Sequence, residues 1–169
     1  MKGIITFAGY RNYPIAYIAA MIESLPFVGM AIPGQNILLL ITGFVGQHSF
    51  FWMIGIAALG VFTGDMIGYR AGTRINQTSL LHYGSYFGLG EKEIAYIYRS
   101  IHTYGRWAMI IGKFHGLPRC IIPFVAGNSK LPLRRFILIN IVASLIWSIF
   151  IVVLGVVFVT YVQVAVRRM

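Results

Sequence analysis

From Phe136 to Tyr161 the chain runs for 26 residues, FILINIVASLIWSIFIVVLGVVFVTY, without a charged side chain. Coiled as an α-helix this run is ~39 Å long, enough to cross a hydrocarbon layer of ~30 Å with tilt. The backbone finds no water there, so a crossing segment has to satisfy its amides internally, as a helix does. A second run, Phe50–Tyr69, is twenty residues long and holds one charge, Asp65. Composition agrees: 58% of the 169 residues are hydrophobic and 11% charged, against about 25% charged in an ordinary soluble domain. The fold class that follows is an all-α integral membrane protein with a single membrane domain over residues 1–169.

Fourteen Lys and Arg face four Asp and Glu, a formal net charge of +10. In a soluble chain that balance points to nucleic acid. Here the cations stand mostly at the ends of apolar runs, which fits anionic phosphate headgroups of membrane lipids and argues against nucleic acid. Lys2 and Arg11 precede the apolar Pro14–Ile22 in the manner of a signal peptide. Glu23 follows at once and no small-x-small cleavage site comes after it, so this segment is expected to be retained. Cys120 is the only cysteine, which excludes an internal disulfide and a cysteine-based metal cluster. It is expected to pack in the apolar interior, and no cofactor is expected.

Several apolar segments are too short to cross, since spanning takes ~20 residues. Tyr13–Ile22 is followed by Glu23, Pro26, Gly29, Pro33 and Gly34, and Ile37–Val45 forms a second short arm. These read as a re-entrant hairpin over residues 13–46, separated by the polar Gln47–Ser49 from a transmembrane helix over 50–69. A second hairpin over 104–128 has arms Trp107–Ile111 and Cys120–Ala126 around Gly116 and Pro118, and a transmembrane helix over 134–162 follows. Between the copies, residues 86–103 set Ile94, Ile97, Tyr98 and Ile101 at helical spacing among charges, as in an amphipathic surface helix. Two opposed hairpin-plus-helix units form an inverted repeat, the construction many secondary transporters use for a mid-membrane site. Gly60, Gly64 and Gly68 recur every four residues and present a smooth stripe to another backbone, within the chain or in a second copy of it.

Lys113 and Arg119 stand six residues apart inside the second hairpin. Charge at bilayer depth costs at least ~2.5–3.5 kcal/mol per residue, so such cations either snorkel to the headgroups or face a polar site. Gly116 and Pro118 break the helix between them, and broken backbone at depth is tolerated where protein or water covers it, which favours a site. His115 lies between the two and reads either as a hydrogen-bonded loop side chain or as a proton relay, histidine being the side chain whose ordinary pKa is nearest neutrality. Asp65 has two readings: an interfacial partner for Arg70 or Arg74, or a carboxylate facing the same cavity as the hairpins. His82 and His102 read as solvated surface residues, and Trp147 as packing within the protein. Catalysis is not expected, because a lipid phosphatase needs a nucleophile supported by a second acid or histidine, and no PSGH-like segment is present.

In order and spacing the motifs resemble the DedA family of bacterial inner-membrane proteins, also called the SNARE-associated or VTT-domain family. They are Glu23 with Leu25-Pro26, Pro33-Gly34-Gln35 where members usually carry an acid third, and Gly64-Asp65 with Tyr69 and Gly72. Tyr104-Gly105, GKFHGLPR at 112–119, PFVAG at 123–127, Arg135-Phe136 and Trp147 follow, so the resemblance covers residues 14–158. It implies two opposed re-entrant hairpins, a multi-pass protein of the bacterial inner membrane, and a role in moving undecaprenyl phosphate or a related phospholipid, coupled to protons. It also implies that Glu23 matches the family's essential acid, and Lys113 and Arg119 its essential basic pair. Two departures stand out. Gln35 replaces an acid, and Lys113 replaces an Arg, which keeps charge but loses the planar fork that matches phosphate.

The expected mechanism is lipid-phosphate translocation. Lys113 and Arg119 hold the headgroup with His115, Gln35 serves as a hydrogen-bonding member of the first hairpin, and Glu23 and Asp65 pair with the cations at rest and carry protons. The alternatives are a phospholipid scramblase and a structural or partner-binding membrane protein. A homodimer is expected to help such a small chain enclose a cavity.

Overall fold

The computed structural model describes residues 2–26, 28–31, 34–76, 85–86, 90–114 and 117–167. Its elements are α1 (Lys2–Ser24), α2 (Val28–Ala31), α3 (Gly34–Arg74), α4 (Glu91–Tyr104), α5 (Arg106–Gly112), a 3-10 turn (Leu117–Cys120), α6 (Ile121–Asn128) and α7 (Leu133–Arg167). No strand occurs among the described residues, so the fold is all-α. Residues 50–74 of α3 and 133–166 of α7 are long and apolar enough to cross a membrane.

α3 is the hub, packing against α1, α6 and α7. Its small residues make this possible. A Cβ added at Gly60 would lie 2.5 Å from the Tyr17 carbonyl, and one at Gly64 2.5 Å from that of Met21, so only glycine admits α1 this closely. The stripe expected from the sequence is thus occupied within the chain, and Gly72 extends it against the Phe124 carbonyl of α6. Tyr17 donates to Thr63 Oγ1 across the same seam at 3.1 Å. Residue numbers rise together along the contact, so α1 and this part of α3 run in the same direction.

That arrangement bends α3. A straight helix would set Gly34 ~45 Å from Gly64. Yet Gly29 abuts the carbonyl of Glu23, the neighbour of the Ser24 that touches Gly64, and the stretch from Gly29 to Gly34 reaches at most ~18 Å. The helix must therefore turn between Gly34 and Gly64. The expected separation of arm and span at Gln47–Ser49 is corrected in one respect: the backbone is helical through it. Gln, His and Ser lower helix propensity by only tenths of a kcal/mol and remove no backbone donor, so they do not end a helix as proline does.

α7 carries the imprint of its solvent. Phe136, Asn140, Ala143, Ser144, Trp147, Ser148 and Ile151 are buried, while Leu138, Val142, Leu145, Ile149, Phe150 and Val153 are exposed. A helix that turns its polar side chains inward and its aliphatic ones outward is stable against hydrocarbon, not water. α7 is longer than the expected 134–162, beginning at Leu133 and ending at Arg167.

α4 begins at Glu91, later than the expected 86, and its apolar stripe does not meet lipid alone. Ile94, Ile97 and Ile101 are buried in a cluster with Ile121, Phe124 and Val125 of α6, while Tyr96 and Arg99 face outward. Asn128 ties the end of α6 to that of α3: its amide donates to the carbonyls of Gly72 and Ile75, and its oxygen accepts from the Tyr98 hydroxyl. Carbonyls left open at a helix end are closed in this way. α6 itself ends in a Schellman turn, with Leu131 N–H bonded to Ala126 O (3.1 Å), Lys130 N–H to Gly127 O (3.0 Å), and Lys130 at φ 56°.

Candidate functional site

The two Pro/Gly-interrupted segments meet each other. The end of α1 carries Glu23 and Ser24, and the 3-10 turn that follows the break after α5 carries Arg119 and Cys120. Cys120 Sγ donates to the Glu23 main-chain oxygen at 3.2 Å, and Gly29 of α2 abuts the same carbonyl. Cys120 is buried, as expected, and in addition closes a carbonyl at the end of α1.

Two ion pairs form at this junction. Arg119 is bound to Glu23 Oε1, and Lys113 to Asp65 Oδ2. All four side chains are largely removed from solvent: the Lys113 and Asp65 side chains are 8% and 3% exposed, those of Arg119 and Glu23 11% and 4%. The open question over Asp65 is thereby answered. It does not reach out to Arg70 or Arg74 but faces inward, because its side of α3 is the side covered by α1 and α7.

Further groups complete the site. Lys113 Nζ also donates to Ser144 Oγ of α7 at 3.0 Å, and Ser144 in turn to Asn140 Oδ1 at 3.4 Å. The Arg119 guanidinium lies over the Trp147 ring, 4.7 Å from its centroid, an arrangement worth ~2 kcal/mol when desolvated. Glu23 Oε2, Asn140 Nδ2 and Ser148 Oγ are buried with no hydrogen-bond partner among the described residues. The space between Ser24, Val61, Asp65, Lys113, Arg119 and Trp147 measures about 10 Å³, about the room for one water molecule. The site is small and buried, and its two cationic side chains are matched by two carboxylates.

Of the expected site residues, Glu23, Asp65, Lys113 and Arg119 are therefore brought together. His115 and the Gln35 side chain lie outside the described residues. The sequence reading missed Ser24, Asn140, Ser144 and Ser148, and saw Trp147 only as packing. A signal for three of these was present: Asn140, Ser144 and Ser148 recur every four residues in an otherwise apolar run, one helical face of polar groups. No group of three or more His, Cys, Asp or Glu among the described residues could hold a metal ion.

Comparison with known proteins gives the same direction. The model of the VTT domain matches residues 32–157. The inner membrane protein YabI of Escherichia coli is 29% identical over 154 residues, 89% of this chain and 59% of that protein. The membrane protein BU139 of Buchnera aphidicola is 28% identical over 134 residues, 77% of this chain and 51% of that protein. The inner membrane protein YqjA of E. coli is 25% identical over 150 residues, covering 85% and 66%. The chain thus spans little more than half the length of the first two of these relatives. No solved structure matches it. With the model matching three quarters of its length, the chain belongs to the VTT-domain family, the DedA family of membrane proteins.

Proposed function

We propose that the chain moves a phosphate-bearing lipid, undecaprenyl phosphate or a related phospholipid, across the bacterial inner membrane. The observation that carries this reading is the small buried pocket in which Arg119–Glu23 and Lys113–Asp65 stand side by side where two broken helices meet. Buried ion pairs seldom repay their desolvation and are weak evidence for a stabilising role. Held at the junction of two interrupted segments, they read as a resting state whose counterions exchange.

On this reading a lipid phosphate displaces the carboxylates. Lys113 and Arg119 then neutralise the headgroup, His115 and Gln35 belong to the same two segments as further ligands, and Trp147 keeps Arg119 oriented. Glu23 and Asp65, freed beside a phosphate in a medium of low dielectric, repel it until they take up protons, which couples movement to a proton gradient. Glu23 Oε2, buried with no hydrogen-bond partner among the described residues, is the atom best placed to take one. A pocket with room for one water admits no headgroup, so the two segments must part during transport. They are read as re-entrant hairpins entering from opposite faces, halves of a multi-pass inverted repeat that a second copy helps to enclose. The names of YabI and YqjA as inner membrane proteins support the location.

The test uses liposomes holding purified protein and labelled undecaprenyl phosphate, with and without a pH gradient. Arg119→Ala at matched folded yield should lose at least about tenfold in lipid binding, the worth of one charge-assisted hydrogen bond. Glu23→Gln should bind the lipid but lose its response to the gradient. Movement that ignores the gradient in the wild type would favour the scramblase reading. Wild-type movement by both variants would make the pairs structural and sink the proposal.

A further inference from the structure

Where α4, α5 and α7 converge, away from the buried ion pairs, lies an open cleft of about 620 Å³. His102 from the last turn of α4, Arg106 opening α5, Ser129 after α6 and Arg135 in the first turn of α7 line it, with Met109 and Leu138 as apolar wall. α5 and α7 run in the same direction: Arg106 and Arg135 share the cleft, Lys113 bonds Ser144, and the Phe114 ring meets that of Phe150 at 5.4 Å. Each helix therefore carries an arginine at its start and apolar side chains one turn further along. The cleft has a basic mouth and an apolar floor, and it sits where the α7 span begins, the level of lipid headgroups.

Among the described residues the arginines have no acid to answer them. Of its four acidic residues, Glu23 and Asp65 are taken by Arg119 and Lys113. Glu91 and Glu93 lie in the first turn of α4, about 14–17 Å along the helix from His102. Ser129 Oγ is buried without a hydrogen-bond partner among the described residues. Trp107, exposed and with Arg106 5.7 Å from its ring centroid, adds an aromatic side chain of the kind that anchors at the interface.

We propose that this cleft is a binding site for an anionic phospholipid, distinct from the buried pocket. The phosphate is forked between Arg106 and Arg135, Ser129 and His102 supply donors, and an acyl chain follows Met109 and Leu138. Two guanidinium groups around one phosphate give directional, charge-assisted bonds that a diffuse basic surface does not. The anionic leaflet supplies such a ligand at high local concentration.

The experiment measures thermal unfolding of the full chain in neutral micelles by tryptophan fluorescence, titrating phosphatidylglycerol, phosphatidylcholine or inorganic phosphate. Phosphatidylglycerol should raise the midpoint saturably, and the other two should not at equal concentration. The double variant Arg106→Gln/Arg135→Gln should lose at least about tenfold in apparent affinity, as expected for removed charge-assisted bonds. Arg70→Gln/Arg99→Gln, the same loss of charge at other exposed positions, should bind as the wild type does. The variant Glu23→Gln/Arg119→Met, which empties half of the buried pocket of charge, should also retain it. That result separates this site from the transport reading. Arg135→Lys, which keeps charge and loses the fork, should weaken binding and serves if the double variant misfolds. The proposal is overturned if the Arg106/Arg135 variant binds normally, if Arg70/Arg99 loses as much, or if inorganic phosphate matches the lipid.

Discussion

Replacing Lys113 by Met removes an ammonium while nearly keeping its shape, and leaves Asp65 without its counter-ion in a pocket where its side chain is 3% exposed. Removing one partner of a buried pair costs ~3–5 kcal/mol, because the remaining charge has lost its compensation. Ser144 loses the Lys113 donor as well, which adds ~1 kcal/mol. Asp65→Asn should cost a similar ~3–5 kcal/mol from the other side, stranding the Lys113 ammonium. The double variant Lys113→Met/Asp65→Asn carries no unpaired charge and should lie within ~2 kcal/mol of the wild type, the cost of one imperfectly bonded buried amide. Simple addition would give a loss of ~7–11 kcal/mol, so the coupling energy should be at least ~5 kcal/mol. Each single loss is a large share of the ~5–15 kcal/mol that holds a domain folded, so midpoints should move visibly. Unfolding in mixed micelles, followed through Trp147 beside the site, gives all four corners of the cycle. Additive losses, or single variants within ~0.5 kcal/mol of wild type, would mean that the pair does not form and would refute the reasoning. A double variant that folds yet no longer binds lipid phosphate would in turn separate the role of these charges in the fold from their role in transport.

Two further predictions rest on backbone geometry. Gly64→Ala should destabilise by ~1–3 kcal/mol, because the added methyl meets the Met21 carbonyl at 2.5 Å and the Ser24 Cβ at 2.7 Å. Gly55→Ala on the same helix, where nothing lies within 4 Å, should be neutral or stabilise by ~0.5–1 kcal/mol through helix propensity, and thermal unfolding of both in detergent checks the contrast. Lys130→Gly should raise stability by about 0.5–1 kcal/mol, since Lys130 holds φ 56° in a Schellman turn that glycine adopts without strain. A fall in the unfolding midpoint would show that the lysine side chain contributes more than its backbone costs.

Much of the buried charge cluster is legible in the sequence. Glu23, Asp65, Lys113 and Arg119 stood out because a charge in an apolar run is costly and so needs a reason, and that test can be applied one residue at a time. Their partners were another matter. Asp65 has Arg70 and Arg74 as neighbours in the chain, yet its partner is Lys113, 48 residues away. Arg119 meets Trp147, a side chain that from sequence reads as packing alone. The polar face of Asn140, Ser144 and Ser148 was visible as a spacing, but a spacing carries no direction until the helix has a neighbour.

The division has a physical cause. Helical crossing follows from local quantities, the length of an apolar run and the cost of an unpaired backbone in hydrocarbon, and these are written in Phe50–Tyr69 and Phe136–Tyr161. Gly60 and Gly64 likewise announce that some backbone comes close. Which backbone comes close, and hence which carboxylate faces which cation, depends on how α1, α6 and α7 share the surface of a bent α3. Helix-to-helix contact is set by the sum of many weak packing terms along the whole seam, and no window of sequence contains that sum. The sequence by itself therefore determined that charges are buried here, and only the tertiary structure decided how they are paired.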